Sequence, residues 1–441
     1  MFLLLISLTA AAYFYGRKNL ISPWFLLCFA CTVGYIFVMI NATNWQFKAS
    51  GKFLLYVLTA LLAFGLGSAL LRVNVSADAK IACSGGALVT ERIEKNYPVN
   101  FLMCISLAGA FVYCYSMLSV AGDAESISDK LRLIYNKIVY ESYSPGFLTN
   151  QMLEVVVAIA YVSVFRLYLK IFTPNDKISV VKLLLPLVAF MSVVVMSTDR
   201  NIFIRFVFYA CVLGALFFMA ANKDKKVNLK ILLFALMAVG VAIIAFFLLG
   251  VAKQYKSGLF RSLSIYIGSG LNNFNLWIQN FNNPLLYGRS TFLSVIGVVN
   301  RVLEPFGVSV SQPVNKIDEF ISYTSANGYE YSSNVYTALK PYVEDYGYFG
   351  CFIIPFVSGI FFQWLYKNAV EKRVGWTWLL YCALVYPVMY FCIGEQFIRR
   401  FHLGYVYEVF WLLAIYFFAF GTDREKYPFR SVLDEMNKRS A

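Results

Sequence analysis

Histidine is almost absent from this 441-residue chain: there is one, against 38 Lys and Arg and 24 Asp and Glu. With no Cys/His cluster the composition argues against a structural zinc site and leaves carboxylate-bound magnesium as the metal chemistry still open. Charge is scarce too. Only 14% of residues are charged while 60% are hydrophobic and 18% aromatic, which puts the chain far outside the soluble range. Of nine cysteines, eight lie within or at the edge of apolar stretches and Cys83 lies in a loop expected on the inner side. None falls in a segment expected outside, so no disulfide framework is predicted. There is no internal repeat and no linker.

What the chain has is apolar length. A bilayer core takes about 20 apolar residues per helix, roughly 17 to 25 with tilt. Stretches of that kind are Phe2–Tyr15, Pro23–Ile40, Phe53–Leu71, Pro98–Val120, Phe147–Leu169, Val180–Met196, Ile202–Ala221, Leu229–Ala252, Tyr348–Tyr366, Thr377–Ile393 and Leu403–Phe420. The first is short. It lacks the basic n-region of a signal peptide and is followed by Arg17-Lys18, so it is expected to be a retained span entering from outside. The expected fold is an all-α polytopic membrane protein of about 11 transmembrane helices. Helices 1–8 fall in 1–252, a large extracytoplasmic loop in 253–347, helices 9–11 in 348–421 and a cytoplasmic tail in 422–441.

Orientation follows from Lys and Arg, which are retained on the cytoplasmic side. Placing 253–347 outside leaves 21 basic residues in inner segments and 15 in outer ones, 7 of these diluted through the 95-residue interval. Each short inner loop is then denser in positive charge than its outer neighbours. The N-terminus is expected outside and the C-terminus in the cytoplasm. Residues 72–97, with their Gly85-Gly86 pair, and Asp423–Ala441 read as solvated inner connections. The net charge of +14 reflects this asymmetry and attraction to anionic lipid, and needs no nucleic acid to explain it.

The interval 253–347 bears most directly on function. A protein that only conducts or carries a solute has little use for one large insertion, whereas one that works on something bulky at the membrane surface has. The interval is rich in Tyr, Asn and Arg, which stack on sugars, hydrogen-bond hydroxyls and hold phosphates. Within it Leu259–Ile278 and Ser290–Leu303 are apolar enough to form amphipathic or re-entrant helices on the outer face. Re-entrant backbone is tolerated where protein or a water-filled cavity surrounds it.

Ionisable residues inside spans are costly and mark function by default. Glu154, Arg205, Glu395 and Glu408 all fall in the outer leaflet of this topology, and Arg166 lies near an inner end where it can snorkel. Structural ion pairs between helices are the competing reading for Glu154 and Glu408. Asp199-Arg200 precede Arg205, and Arg399-Arg400 with His402 follow Glu395. On a continuous helix Glu395 and Arg399 are i,i+4 partners, and Arg399 and His402 are i,i+3. Arg200, Arg205, Arg289, Arg399 and Arg400 together suit a diphosphate, because a guanidinium binds phosphate through a planar fork. A basic girdle touching lipid headgroups is the alternative, though it more naturally uses lysine on the inner side.

The interval ends in Asn334-Val335-Tyr336-Thr337, then Tyr342-Val343-Glu344-Asp345-Tyr346-Gly347-Tyr348-Phe349-Gly350. Carboxylates at the rim among tyrosines can deprotonate a sugar hydroxyl if burial raises a pKa. A helix-end cap with an aromatic belt is the plainer account. Asp345, Glu395 and His402 are the candidate general bases, with Asp345 preferred and Glu395 second. Free imidazole titrates at about 6.5, so His402 needs no shift, and it is read equally as a phosphate ligand beside its two arginines. Glu344 supplies Asp345 with a like-charged neighbour.

At this point the chain resembles the bacterial Wzy-type oligosaccharide repeat-unit polymerases, which build O-antigen and capsule. The similarity covers the layout of spans with one large late outer loop. It is sharper at Ser197-Thr198-Asp199-Arg200-Asn201 with Arg205, at the Gly/Phe-Asn stretch Tyr266–Asn275, at Gly288-Arg289-Ser290-Thr291-Phe292, and at the run Asn334–Thr337 through Asp345–Gly350. The last two resemble the family's Gly-x-x-Thr-Phe and Asn-x-Tyr-Thr…Asp-x-Gly-x-x-Gly elements. Arg399-Arg400 and His402 have no firm place in that pattern. The resemblance implies a GT-C-like, metal-independent glycosyltransferase without a cofactor, acting on undecaprenyl-diphosphate-linked oligosaccharides in the outer leaflet of the inner membrane. It also implies a chain-length regulator as partner. In that frame Asn334, Tyr336 and Glu344 join the arginines as substrate-binding residues.

Two other functions remain open in the sequence. An O-antigen ligase shares the layout and donor but transfers glycan to lipid A core. A flippase or secondary transporter favours charges through the midplane and broken helices in related halves, and neither is evident. The topology itself is testable. In a variant lacking native cysteines, Asn315→Cys is expected to react with a membrane-impermeant maleimide in intact spheroplasts. Labelling only after the inner membrane is permeabilised overturns the orientation.

Overall fold

The structure, a computed structural model, describes residues 1–71, 97–122, 126–139, 141, 143, 145–172, 178–221, 259–308, 318–371 and 374–421. The expected span Leu229–Ala252, the 422–441 tail and all but the last residue of 72–97 lie outside the described residues. Ahead of the interval come α1 (Phe2–Tyr15), α2 (Pro23–Ile40), α3 (Gly51–Ala69), α4 (Val99–Ala121), α5 (Ile127–Val139), α6 (Phe147–Phe172), α7 (Val180–Ser197) and α8 (Arg200–Ala221). The interval holds α9 (Leu259–Asn280), α10 (Leu293–Leu303), strands β1 (Ile321–Thr324) and β2 (Glu330–Ser333), and α11 (Leu339–Tyr346). Then follow α12 (Tyr348–Glu371), α13 (Trp376–Leu384), α14 (Tyr386–Met389) and α15 (Leu403–Phe420). Among the described residues eight helices, α2, α3, α4, α6, α7, α8, α12 and α15, are long and apolar enough to cross a membrane. The protein is an all-α polytopic membrane protein.

Local signals set many of these ends. Pro23 opens α2 where a missing N–H leaves nothing unpaired, and Ser50 Oγ caps α3 by accepting the Phe53 N–H at 3.2 Å. Ser126 likewise accepts the Asp129 N–H at 3.1 Å at the start of α5, an amphipathic helix not expected from the sequence.

The chain divides into two compact units, taken over their described residues. One comprises Met1–Asn74, Tyr255–Val370 and Tyr381–Val406. Here α9 packs on α2 and α3, with Leu271, Phe274 and Ile278 buried, so it is built into the helical core and not laid over it. The β-hairpin, also unexpected, stacks Tyr323 on Tyr331 at 4.9 Å, and Tyr331 meets Trp45 edge-on at 5.5 Å. The other unit comprises Val75–Gln254, Glu371–Leu380 and Tyr407–Ala441 and has α4, α6 and α7 packed on one another. In it Arg166 does not snorkel but is fully buried, its guanidinium 5.6 Å from the Tyr97 ring centre, where an aromatic face helps to stabilise a cation.

A second correction concerns the expected continuous span Thr377–Ile393. α13 ends at Leu384, α14 is a single turn, and 390–402 runs in turns. Pro387 has no N–H for the Ala383 carbonyl and its ring crowds that oxygen, so the helix breaks there. The i,i+4 geometry expected for Glu395 and Arg399 is therefore absent.

Close helix contact in the first unit rests on small residues. A Cβ added to Gly67 of α3 would run into the Phe356 carbonyl of α12, and one added to Gly359 of α12 would run into the Phe64 carbonyl of α3. Lipid offers no hydrophobic drive between helices, so backbone approach of this kind carries the association. Gly359→Val is expected to destabilise the protein by about 1–3 kcal/mol, seen as a lower unfolding temperature in detergent. Gly51→Ala, where an added Cβ meets nothing within 4 Å, serves as the unaffected control.

Candidate active site

The site is assembled within the first unit, where residues 286–292 wrap around the end of α11. The Leu286 and Tyr287 N–H groups donate to the Glu344 and Asp345 carbonyls at 2.9 and 3.2 Å. Tyr287 and Gly288 then take positive φ, 49° and 95°, which turns the next amides inward. Asp345 Oδ1 accepts the Ser290 N–H at 3.0 Å and Oδ2 accepts the Thr291 N–H at 2.5 Å. The carboxylate is completely buried. A buried charge needs such donors, and amide N–H groups are strong ones. Gly347, at φ 60°, caps the end of α11 two residues after it.

Ser290 passes this fixation on. Its hydroxyl donates to Glu344 Oε2 at 2.5 Å, and its oxygen atoms receive Arg399: Nε donates to the Ser290 carbonyl at 2.9 Å and Nη2 to Ser290 Oγ at 2.7 Å. The backbone of Arg399 is held as firmly. Glu395 Oε2 accepts its N–H at 2.7 Å, and Ser294 Oγ donates to its carbonyl. Glu395 Oε1 accepts from Phe397 N, Ile398 N and the Tyr342 hydroxyl, each at 2.9 Å. Thus both carboxylates weighed as bases hold backbone N–H groups, and what they hold together is one arginine. Its Nη1 lies 3.8 Å from Asp318 Oδ2, beyond hydrogen-bond range.

Beside it stands Lys340, whose Nζ is 2.7 Å from both Asp318 Oδ1 and Glu344 Oε1 and 4.8 Å from the Tyr336 ring centre. Desolvation pulls the Lys340 pKa down, but the Asp318 and Glu344 carboxylates outweigh it and the net direction is up. Burial, reinforced by Asp318, Glu319 and Glu344, pushes the Tyr336 phenol up to about 12, so it stays a neutral donor, to the Glu319 carbonyl at 3.2 Å.

The remaining expected residues are dispersed. Arg289 is half-buried on the turn itself, and Asn334 is half-buried between β2 and α11. Arg400 turns away from Arg399 onto aromatic faces, 5.3 Å from the Tyr386 ring centre and 5.1 Å from that of Tyr405. His402 is exposed at the start of α15, where Nδ1 accepts the Tyr405 N–H at 3.3 Å. Arg200 and Arg205 belong to the second unit. There Arg205 Nη1 reaches both oxygens of Glu408 at 2.7 Å, the structural ion pair that competed with a site. Two asparagines of the Tyr266–Asn275 stretch serve the fold: Asn273 Nδ2 donates to the Ser333 and Val335 carbonyls, and Asn275 bridges Lys48 and Ser50.

Sequence reading placed Ser290 and Tyr342 in motifs without giving either a role, and missed Lys340 and Asp318. The i,i+4 spacing of Lys340 and Glu344 was a usable signal. The 22-residue separation of Asp318 and Lys340 was not.

The fold and this cluster define a polytopic membrane protein with a half-buried charged site built from its long interval and the segment after α14. No family model matches the chain, and no solved structure matches it. Over 217 residues it is 23% identical to a Shigella dysenteriae protein named O-antigen polymerase. The match covers 48% of this chain and 50% of that protein, so the chain spans about half the length of the curated relative it matches. This agrees with the resemblance to Wzy-type polymerases carried by the sequence motifs.

Asp345→Asn leaves one acceptor oxygen and turns an NH2 toward a backbone N–H. The loss expected is about 1–3 kcal/mol of stability, the cost of an unpaired buried donor, measured as a lower unfolding temperature. An Asp345→Asn protein of unchanged stability with no turnover instead makes Asp345 the base.

Proposed function

We propose that the protein polymerises undecaprenyl-diphosphate-linked oligosaccharide repeat units into O-antigen or capsular polysaccharide on the outer face of the bacterial inner membrane. The single observation that carries this reading is an arginine aimed by two buried carboxylates and a serine, in a chain similar to an O-antigen polymerase. The bond between the sugar's anomeric carbon and the diphosphate oxygen of the growing chain breaks. A hydroxyl oxygen of a new lipid-linked unit joins that carbon. Negative charge develops on the departing diphosphate, and Arg399, already oriented, stabilises it without reorganising; preorganised charge of this kind commonly dominates catalysis.

The hydroxyl proton needs an acceptor. Asp345 and Glu395 are buried with both oxygens engaged, whereas His402 is exposed. We assign the proton to His402 and hold Asp345 and Glu395 to be positioning residues. Glu344, half-buried, and Asn334 face the sugar in this reading. Arg289 remains a candidate for the diphosphates, while Arg200 belongs to the other unit. Arg205 is neutralised by Glu408, and Arg400 by stacking is directed to the shape of the segment.

Purified protein given a defined lipid-linked repeat unit is expected to produce a ladder of polymer and release undecaprenyl diphosphate. Arg399→Lys, which loses the fork but keeps the charge, should slow this by roughly 10²-fold, the scale for removing one preorganised donor. His402→Gln should slow polymer formation without lowering the unfolding temperature. A single transfer to lipid A core with no ladder makes the protein a ligase, and normal polymerisation by Arg399→Lys places the diphosphate elsewhere.

A further inference from the structure

Asp318 differs from the other acids of the cluster. Asp345 and Glu395 hold backbone N–H groups and Glu344 holds the Ser290 hydroxyl. Among the described residues the Asp318 carboxylate meets two side chains only, both cations: Lys340 Nζ at 2.7 Å and Arg399 Nη1 at 3.8 Å. Its side chain is also the most exposed of the four, 24% against 16% for Glu344, 18% for Arg399 and 10% for Lys340, so an anion arriving from solvent meets it first.

Asp345 and Glu395 add two buried carboxylates, but their oxygens are engaged by backbone N–H groups and the Tyr342 hydroxyl. Without Asp318, Lys340 keeps only Glu344 as a carboxylate partner, and no carboxylate side chain faces Arg399 Nη1 among the described residues. Lys340 cannot withdraw, being fixed against Tyr336 and Trp277 at 4.8 and 5.6 Å from their ring centres. Arg399 cannot either, because Ser290 holds Nε and Nη2 and leaves Nη1 turned to the same oxygen pair. A carboxylate with one oxygen on Lys340 and the other 3.8 Å from Arg399 Nη1 stands where a phosphate group would bridge both cations, and a guanidinium N–H and an ammonium are both phosphate donors.

We infer that Lys340 and Arg399 form a phosphate subsite that Asp318 fills until a substrate phosphate displaces it. The identity of that phosphate as part of a lipid-linked diphosphate rests on the function proposed above; the subsite itself does not. Asp318 then sets affinity by competition, keeping the cations paired when no substrate is bound and letting product diphosphate leave.

The test uses the full-length chain in detergent, inorganic pyrophosphate as probe and low salt, since screening weakens such pairs. Asp318→Asn is expected to tighten pyrophosphate binding by roughly two- to fivefold, the scale of one partly exposed ion pair. Asp318→Ser should do the same, and Asp318→Glu, which keeps the charge, should not. Adding Lys340→Gln to Asp318→Asn should remove the gain, and KM for a lipid-linked repeat should fall in Asp318→Asn with no rise in kcat. A purely structural acid predicts weaker or unchanged binding in both neutral variants, and that result overturns the inference. Tightened binding with no polymer from either protein keeps the subsite and sinks the polymerase reading. Polymer from the wild type with unchanged pyrophosphate affinity in Asp318→Asn does the reverse.

Discussion

The two backbone N–H bonds accepted by Asp345 carry the rest of the site. A carboxylate with no exposed surface is tolerable only when strong donors replace water, and the amides of Ser290 and Thr291 do so. In accepting them Asp345 ties α11 to a turn more than fifty residues earlier in the chain. That turn presents the Ser290 carbonyl and hydroxyl side by side, spaced for Nε and Nη2 of one guanidinium. Position is thus handed from a buried charge to a backbone, from the backbone to a serine, and from the serine to Arg399. Glu395 repeats the device from the other side by gathering three consecutive amides, the last belonging to Arg399 itself.

Carboxylates here do different work according to their donors and exposure. Those met by amides are fixed and inaccessible, and act through what they hold. Glu344 is divided between the Ser290 hydroxyl and Lys340, and Asp318, among the described residues, meets cations alone. The same contrast separates the arginines. Arg399 keeps a donor edge toward the half-buried cluster, Arg400 lies on two tyrosine faces, and Arg205 is matched by Glu408 within its own unit. Three neighbouring or similar residues in sequence therefore have three electrostatic fates.

Membrane packing supplies the frame for these local contacts. In the first unit small residues let α3 and α12 approach backbone to backbone, while α9 enters the helical core through its apolar face. Beyond the break at Pro387 the amides of Phe397, Ile398 and Arg399 go to the Glu395 side chain and not to carbonyls four residues earlier. Only without helical i,i+4 bonding can Glu395 turn its carboxylate onto its own downstream amides, so the broken span is a condition of the arginine's placement.

The sequence alone determined which segments are apolar helices: Phe2–Tyr15, Pro23–Ile40 and Leu403–Phe420 have the bounds read from hydropathy, and α9 and α10 fall where amphipathic helices were expected. It also marked Asp345, Glu395, Arg399 and the Gly288–Phe292 turn as important, from charge at the rim and family-like motifs. These properties are legible because helix formation and burial depend on residues within a few positions of one another. The tertiary structure decided what each marked group does. Asp345 became an anchor because amides from residue 290 onward reach it, Ser290 became a hub through partners 54 to 109 residues away, and Lys340 met Asp318 across 22. A carboxylate's chemistry is set by the donors and solvent around it, and those come from elsewhere in the chain, where no local pattern records them.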